Sequence, residues 1–96
     1  MIEGYINKGN ANMWKGLESV GGKLYLTKEN LIHVPHRLNF QSEKYSVALS
    51  DIDSIEFYNT LKIMPNGLIV ILKNGEEKKF VVNGRKKWKR EIENLL

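Results

Sequence analysis

Few residues in this chain could do acid–base, nucleophilic or metal chemistry. The two histidines, His33 and His36, stand in "HVPH". On a strand, positions three apart point to opposite faces, so one metal ion would reach both only if Pro35 bent the chain. Asp51 and Asp53 look like a carboxylate pair. Their setting reads as a turn, where aspartate side chains bond nearby backbone, rather than as a general acid and base. Cysteine is absent, which removes thiolate chemistry and disulfides. There is no nucleophile elbow and no phosphate-cradling glycine loop, and "GNANMWKG" opens no helix. The sequence argues against an enzyme, and no cofactor, metal or small-molecule substrate is expected.

The other chemistry on offer is charge. The formal net charge is +4 over 96 residues, and five of the six residues from Arg85 to Arg90 are basic, interrupted only by Trp88. Lys78 and Lys79 lie just upstream. From Asn83 onward the apolar residues Trp88, Ile92, Leu95 and Leu96 fall on one stripe at helical spacing. A helix over about 84–96 is expected, with Asn83 as its N-cap. Trp88, Ile92, Leu95 and Leu96 would form the buried face of a lid, and the basic residues its solvated back. Lys87 can pair with Glu91 and Lys89 with Glu93, each at i,i+4, for about 0.2–0.5 kcal/mol. Lys86 and Arg90 are like charges at the same spacing. The basic residues fill the first turns and the acids come late, an order that opposes the helix dipole and costs a few tenths to about 1 kcal/mol. Two compensations are open: acids on the sheet (Glu56, Glu76 or Glu77) or an anionic partner. The candidate partner contacts are therefore Lys86, Lys87, Lys89, Arg90, Lys78 and Lys79.

The elements that must position these residues are short strands separated by turn residues. In "GGKLYLT" Leu24 and Leu26 share a face, "KEN" turns, and "LIHV" returns, with Pro35 ending that strand or marking an edge. "YSVALS" puts Val47 and Leu49 on one face. A turn at Asp51–Asp53 leads into a strand carrying Ile55 and Phe57. "PNG" at residues 65–67 is a turn signal. "LIVILKNGEEKKFVV" is a hairpin in which Asn74-Gly75 favours a type I′ turn. The N-terminal third is expected to hold one or two strands, broken at Gly9, Gly16 and Gly21-Gly22. Lysines on "KKF" and Pro35 look like edge protection against uncontrolled strand pairing. One domain of mainly β structure with a C-terminal helix follows. No stretch reads as a signal peptide or a membrane span, so a cytosolic setting is the default.

"GGKLYLTKENLIHVPHRLN", "SVALSDIDSIE" and "PNGLIVILKNGEEKKFVVNGRKKW" together resemble a GRAM domain, a member of the pleckstrin-homology-like superfold. The matching positions are Gly22, Leu24, Leu26, Thr27, Leu31, Ile32, Leu49, Asp51, Ile52, Ile55, Phe80 and Trp88, spread over roughly residues 21–92. The resemblance implies a barrel of two near-orthogonal antiparallel sheets, about seven strands in all, with one C-terminal helix plugging an open end. It implies a binding module for lipid headgroups or proteins, without catalytic residues. Phosphoinositide-binding members use a basic loop between the first two strands. The corresponding region here departs from that pattern, offering only Lys8 and Lys15, well spaced.

The function expected is a non-enzymatic module that engages a protein partner or an anionic membrane surface. A small nucleic-acid-binding β-domain is the alternative. It is disfavoured because Phe80 and Trp88 fall at core positions, and because Glu76 and Glu77 sit among the lysines.

Overall fold

The computed structural model describes residues 2–36 and 43–96, which leaves Arg37–Asn39, the end of the first resembling stretch, outside the described residues. In chain order the elements are β1 (Asn7–Lys15), β2 (Glu18–Leu26), β3 (Asn30–Pro35), β4 (Tyr45–Ala48), a 3₁₀ turn (Leu49–Asp51), β5 (Ile52–Thr60), β6 (Met64–Leu72), β7 (Glu77–Val82) and the helix α1 (Arg85–Glu93). The seven strands form one antiparallel sheet in the order β4-β3-β2-β1-β7-β6-β5. The sheet curls on itself into a half-barrel, so the two expected layers are its two limbs. They join where Ala11–Met13 of β1 pair with Phe80–Val82 of β7.

Alternation along the strands builds the core. Leu24, Leu26 and Leu31 from one limb meet Leu68, Val70 and Phe80 from the other, all fully buried. At the corner between the limbs, Leu49 donates its N–H to the Glu29 carbonyl and Asp51 accepts from Lys73 N–H. The 3₁₀ turn thus ties the β2–β3 and β6–β7 connections together. It also places the turn at Leu49–Asp51, with Ile52 already in β5 and buried, two residues earlier than expected.

Helix α1 covers the open side against β5 and β6. Trp88 (3% exposed) and Ile92 (0%) enter the core, and Leu95 packs at its border. Leu96 departs from the expected stripe: it lies beyond the last helical residue and is 50% exposed. Asn83 is not the cap. Gly84 takes that position in the left-handed region (φ 67°, ψ 49°), and no side chain caps the first turn. The chain reverses from β7 into the helix within two residues, and glycine adopts that conformation without a Cβ penalty.

The expected break at Gly16 holds, and three other turn readings are revised. Gly16 and Leu17 link β1 to β2 as a two-residue hairpin with Gly16 at φ 63°, the type II′ pattern. Gly9, Gly21 and Gly22 lie inside strands rather than at breaks. At the β6–β7 hairpin, Gly75 N–H donates to the Leu72 carbonyl and only Gly75 has positive φ, so the turn is type I followed by a glycine bulge rather than type I′. The third revision is the largest. Pro65-Asn66-Gly67 is not a turn but the start of β6. The reversal falls at Leu61–Ile63, with Leu61 at φ 51° and Lys62 at φ 65°. Non-glycine residues held there cost about 1–3 kcal/mol each.

Gly67 is glycine for another reason. A Cβ at that position would collide with both the Tyr58 carbonyl and the Tyr58 ring. Tyr58 of β5 lies across β6 in the space left by the missing side chain, and its hydroxyl donates to the Phe80 carbonyl of β7 at 3.3 Å.

Candidate functional site

The basic residues separate into tied and free groups. Arg85 is structural. Its Nη1 donates to the Tyr58 carbonyl (2.9 Å) and Asn59 Oδ1 (3.2 Å), and its guanidinium covers the Phe57 ring at 4.4 Å. Lys89 pairs with Glu93 at 2.6 Å and flanks the same ring. The expected Lys87–Glu91 pair is replaced: Glu91 Oε1 accepts from Asn7 Nδ2 at 2.7 Å, tying the helix to β1. Lys78 is held by Glu76 at 3.3 Å and lies over Tyr45. Hydrogen bonds from Asn74 and Lys78 hold the Glu76 carboxyl below the usual range. Among the described residues Lys86, Lys87 and Arg90 are exposed and make no ion pair.

Strand alternation sends Lys78 and Lys79 to opposite faces, so the six candidates do not form one patch. Lys79 belongs to the outer face, with its ammonium 5.7 Å from the centre of the Tyr58 ring. Burial raises the Tyr58 hydroxyl above the usual tyrosine range, and a hydrogen bond from Trp14 opposes that rise. Trp14, Tyr58 and Lys79 form the floor of a groove of about 410 Å³, walled by the β1–β2 turn at Leu17 and the β5–β6 turn at Leu61. The turn residues are largely in solvent: Leu17 is 99% exposed, Leu61 86% and Ile63 75%. Because Arg85 bonds to Tyr58 and Asn59, the first turn of α1 stands beside this two-turn tip.

Trp14, Leu17, Leu61, Lys62 and Ile63 were not among the residues expected to matter. "TLKIM" holds neither glycine nor proline nor asparagine, so no turn signal exposes it. The basic loop looked for between the first two strands is only Gly16-Leu17, and Lys15 donates instead to the Glu43 carbonyl at 3.2 Å.

The histidines and aspartates are separated by their surroundings. His33 is buried beside Phe80 with its Nε2 2.9 Å from the Ala11 carbonyl, and its Nδ1 is buried without a partner. Burial lowers its pKa, so the ring is neutral. His36 is exposed next to Gly21. Asp51 and Asp53 are exposed at the start of β5. Among the described residues no cluster of metal-ligating side chains forms, and no helix is long and apolar enough to cross a membrane.

Comparison with known proteins adds the fold. The chain is similar to the crystal structure of the C-terminal domain of an unknown protein from Leishmania infantum, with a TM-score of 0.82 at 14% identity over 95% of this chain and 82% of that one. The N-terminal PH domain of Vps36 matches with a TM-score of 0.70 at 16% identity, over 99% of this chain and 84% of that one. The Slm1 PH domain, solved in complex with inositol-4-phosphate, matches with a TM-score of 0.68 at 15% identity, over 99% of this chain and 95% of that one. The chain has a pleckstrin-homology-like fold. No family model and no curated protein sequence matches it. At these identities the likeness is one of architecture, and function must be argued from the surface.

Proposed function

We propose that this chain is a non-enzymatic, GRAM-type binding module that docks on an anionic membrane surface, with the cytosolic face as the surface assigned. One observation carries the reading. The first turn of α1 holds Arg85, Lys86 and Lys87, no acid and no side-chain cap. Its orphan N–H groups and the positive end of the helix dipole add to those cations rather than offsetting them. The intramolecular compensation open to the sequence is not used: among the described residues neither Glu56, Glu76 nor Glu77 reaches Lys86, Lys87 or Arg90. An anionic partner would offset the same cost. The Slm1 domain, with its inositol-4-phosphate, is one protein of similar fold that holds an anionic ligand.

An extended membrane surface suits this charge better than a folded protein partner, because the cations sit on a convex helix back and need no matching relief. Phe80 and Trp88 are buried, so neither serves as a stacking platform for nucleic acid beside the helix cations. The test is co-sedimentation with vesicles of phosphatidylcholine alone or mixed with phosphatidylserine. Binding should rise with the anionic fraction and vanish at high salt. Equal binding to both vesicle types, or none to either, would defeat the proposal.

A further inference from the structure

We infer that the β1–β2 and β5–β6 turns form a wedge that enters the apolar layer of the bilayer, with Leu17, Leu61 and Ile63 below the headgroups and Trp14, Lys62 and Lys79 at their level. This inference rests on the docking proposed above and specifies how that surface seats. Three independent features support it.

The first is exposure. Leu17, Leu61 and Ile63 leave nearly their whole side chains in water, on two turns that wall the same groove. Isolated exposed leucines need no explanation, but a group of them at one tip marks a contact surface. The second is backbone conformation. Leu61 and Lys62 both adopt positive φ, where asparagine and glycine are the unstrained choices. The tip therefore carries an apolar residue, Leu61, where both the backbone and the solvent oppose it, and a cation, Lys62, where the backbone does. Observed strain of this kind clusters at functional sites.

The third feature is what surrounds the tip. Trp14 is 37% exposed and lines the groove with Tyr58, two aromatics that each have one apolar and one polar end and suit the headgroup boundary. Lys62 is in the turn, Lys79 is in the groove floor, and Lys86 and Lys87 stand on the adjoining helix turn. Glu18, the first residue of β2, is the acid next to Leu17. Cations thus outnumber acids around an apolar tip, which favours an anionic bilayer over an apolar protein groove.

Trp14 supplies the readout, because the other tryptophan, Trp88, is buried. Vesicles of phosphatidylcholine and phosphatidylserine carrying bromines at graded acyl depths should quench the emission of the intact protein at shallow depth, and W14F should abolish that quenching. L61N keeps the charge and relieves the backbone, so it should melt no lower than the parent. The triple variant L17S/L61N/I63S should bind these vesicles at least about tenfold more weakly while keeping its dependence on salt. Unchanged affinity of the triple variant, or absence of quenching in a protein that still binds by charge, would overturn the wedge and leave electrostatic docking standing. Failure of the parent to bind any vesicle would overturn both. A concentration-dependent dimer that L61N dissolves, without quenching, would assign the tip to a second copy and overturn the wedge.

Discussion

His33 shows how one side chain can carry a condition for folding without taking part in binding. Its ring is enclosed by the sheet, bonded through Nε2 to the Ala11 carbonyl, with Nδ1 unpartnered. Desolvation is the largest cause of its lowered pKa. The Ala11 carbonyl opposes that shift, and the charges of Lys15 and His36 add to it. The folded protein therefore refuses a proton that the unfolded chain accepts near the ordinary value of 6.5. The unfolded state binds more protons as pH falls through 6.5, so stability drops until the folded pKa is reached. Urea unfolding at pH 7.5 and at pH 5.5 should show this loss in the parent. H33Q stays neutral and can still donate to Ala11, so it should show a smaller loss. Equal losses in the two proteins would remove His33 from the account. The sequence shows the histidine but not its burial, because the alternation of "LIHV" becomes decisive only once β2 and β4 flank β3.

Among the elements, the β5–β6 hairpin separates what was legible in the sequence from what was not. "LIVIL" and "KKFVV" announced their pairing through the Asn74-Gly75 turn signal between them, and Gly75 sits at their reversal. "PNG" carried the strongest turn chemistry of its region and misled. Gly67 serves the Tyr58 ring that lies across it, while the real turn uses Leu61 and Lys62. Local propensity cannot reveal a glycine required by a side chain nine residues away in sequence. That requirement can be measured. G67A should destabilise the protein by about 1–3 kcal/mol through overpacking against Tyr58. In a Y58A background the same change should cost less but not nothing, because the ring is gone while the Tyr58 carbonyl still meets the new Cβ. Additive losses in a double-mutant cycle would mean that the two residues do not share this space. The N-cap was misjudged for a related reason: Asn83 has the right side chain, but the tight reversal out of β7 requires a left-handed residue next to the helix, and Gly84 takes that place.

Across the whole molecule, class and order of elements were readable because the core uses strict alternation and the lid uses helical spacing. Leu24, Leu26, Phe80, Trp88 and Ile92, all placed by pattern, are buried. The proposed binding surface was harder to read, since it depends on which cations find intramolecular partners. Lys78 and Lys89 do, Lys86, Lys87 and Arg90 do not among the described residues, and Arg85 is spent on holding the helix to β5. The +4 charge is thus less informative than its distribution: two of the free cations, Lys86 and Lys87, sit at the uncapped end of a lid that stands beside an apolar tip.

The most direct test of anionic docking is the affinity of K86Q/K87Q/R90Q for phosphatidylserine-containing vesicles at low salt, set beside that of the parent. Each cation near an anionic surface contributes about 1 kcal/mol, so the triple variant should bind roughly a hundredfold more weakly. Its melting temperature should change little, because relief of Lys86 and Lys87 at the positive end of α1 is offset by the loss of Arg90 from its last turn. Equal affinity of the two proteins would contradict the account.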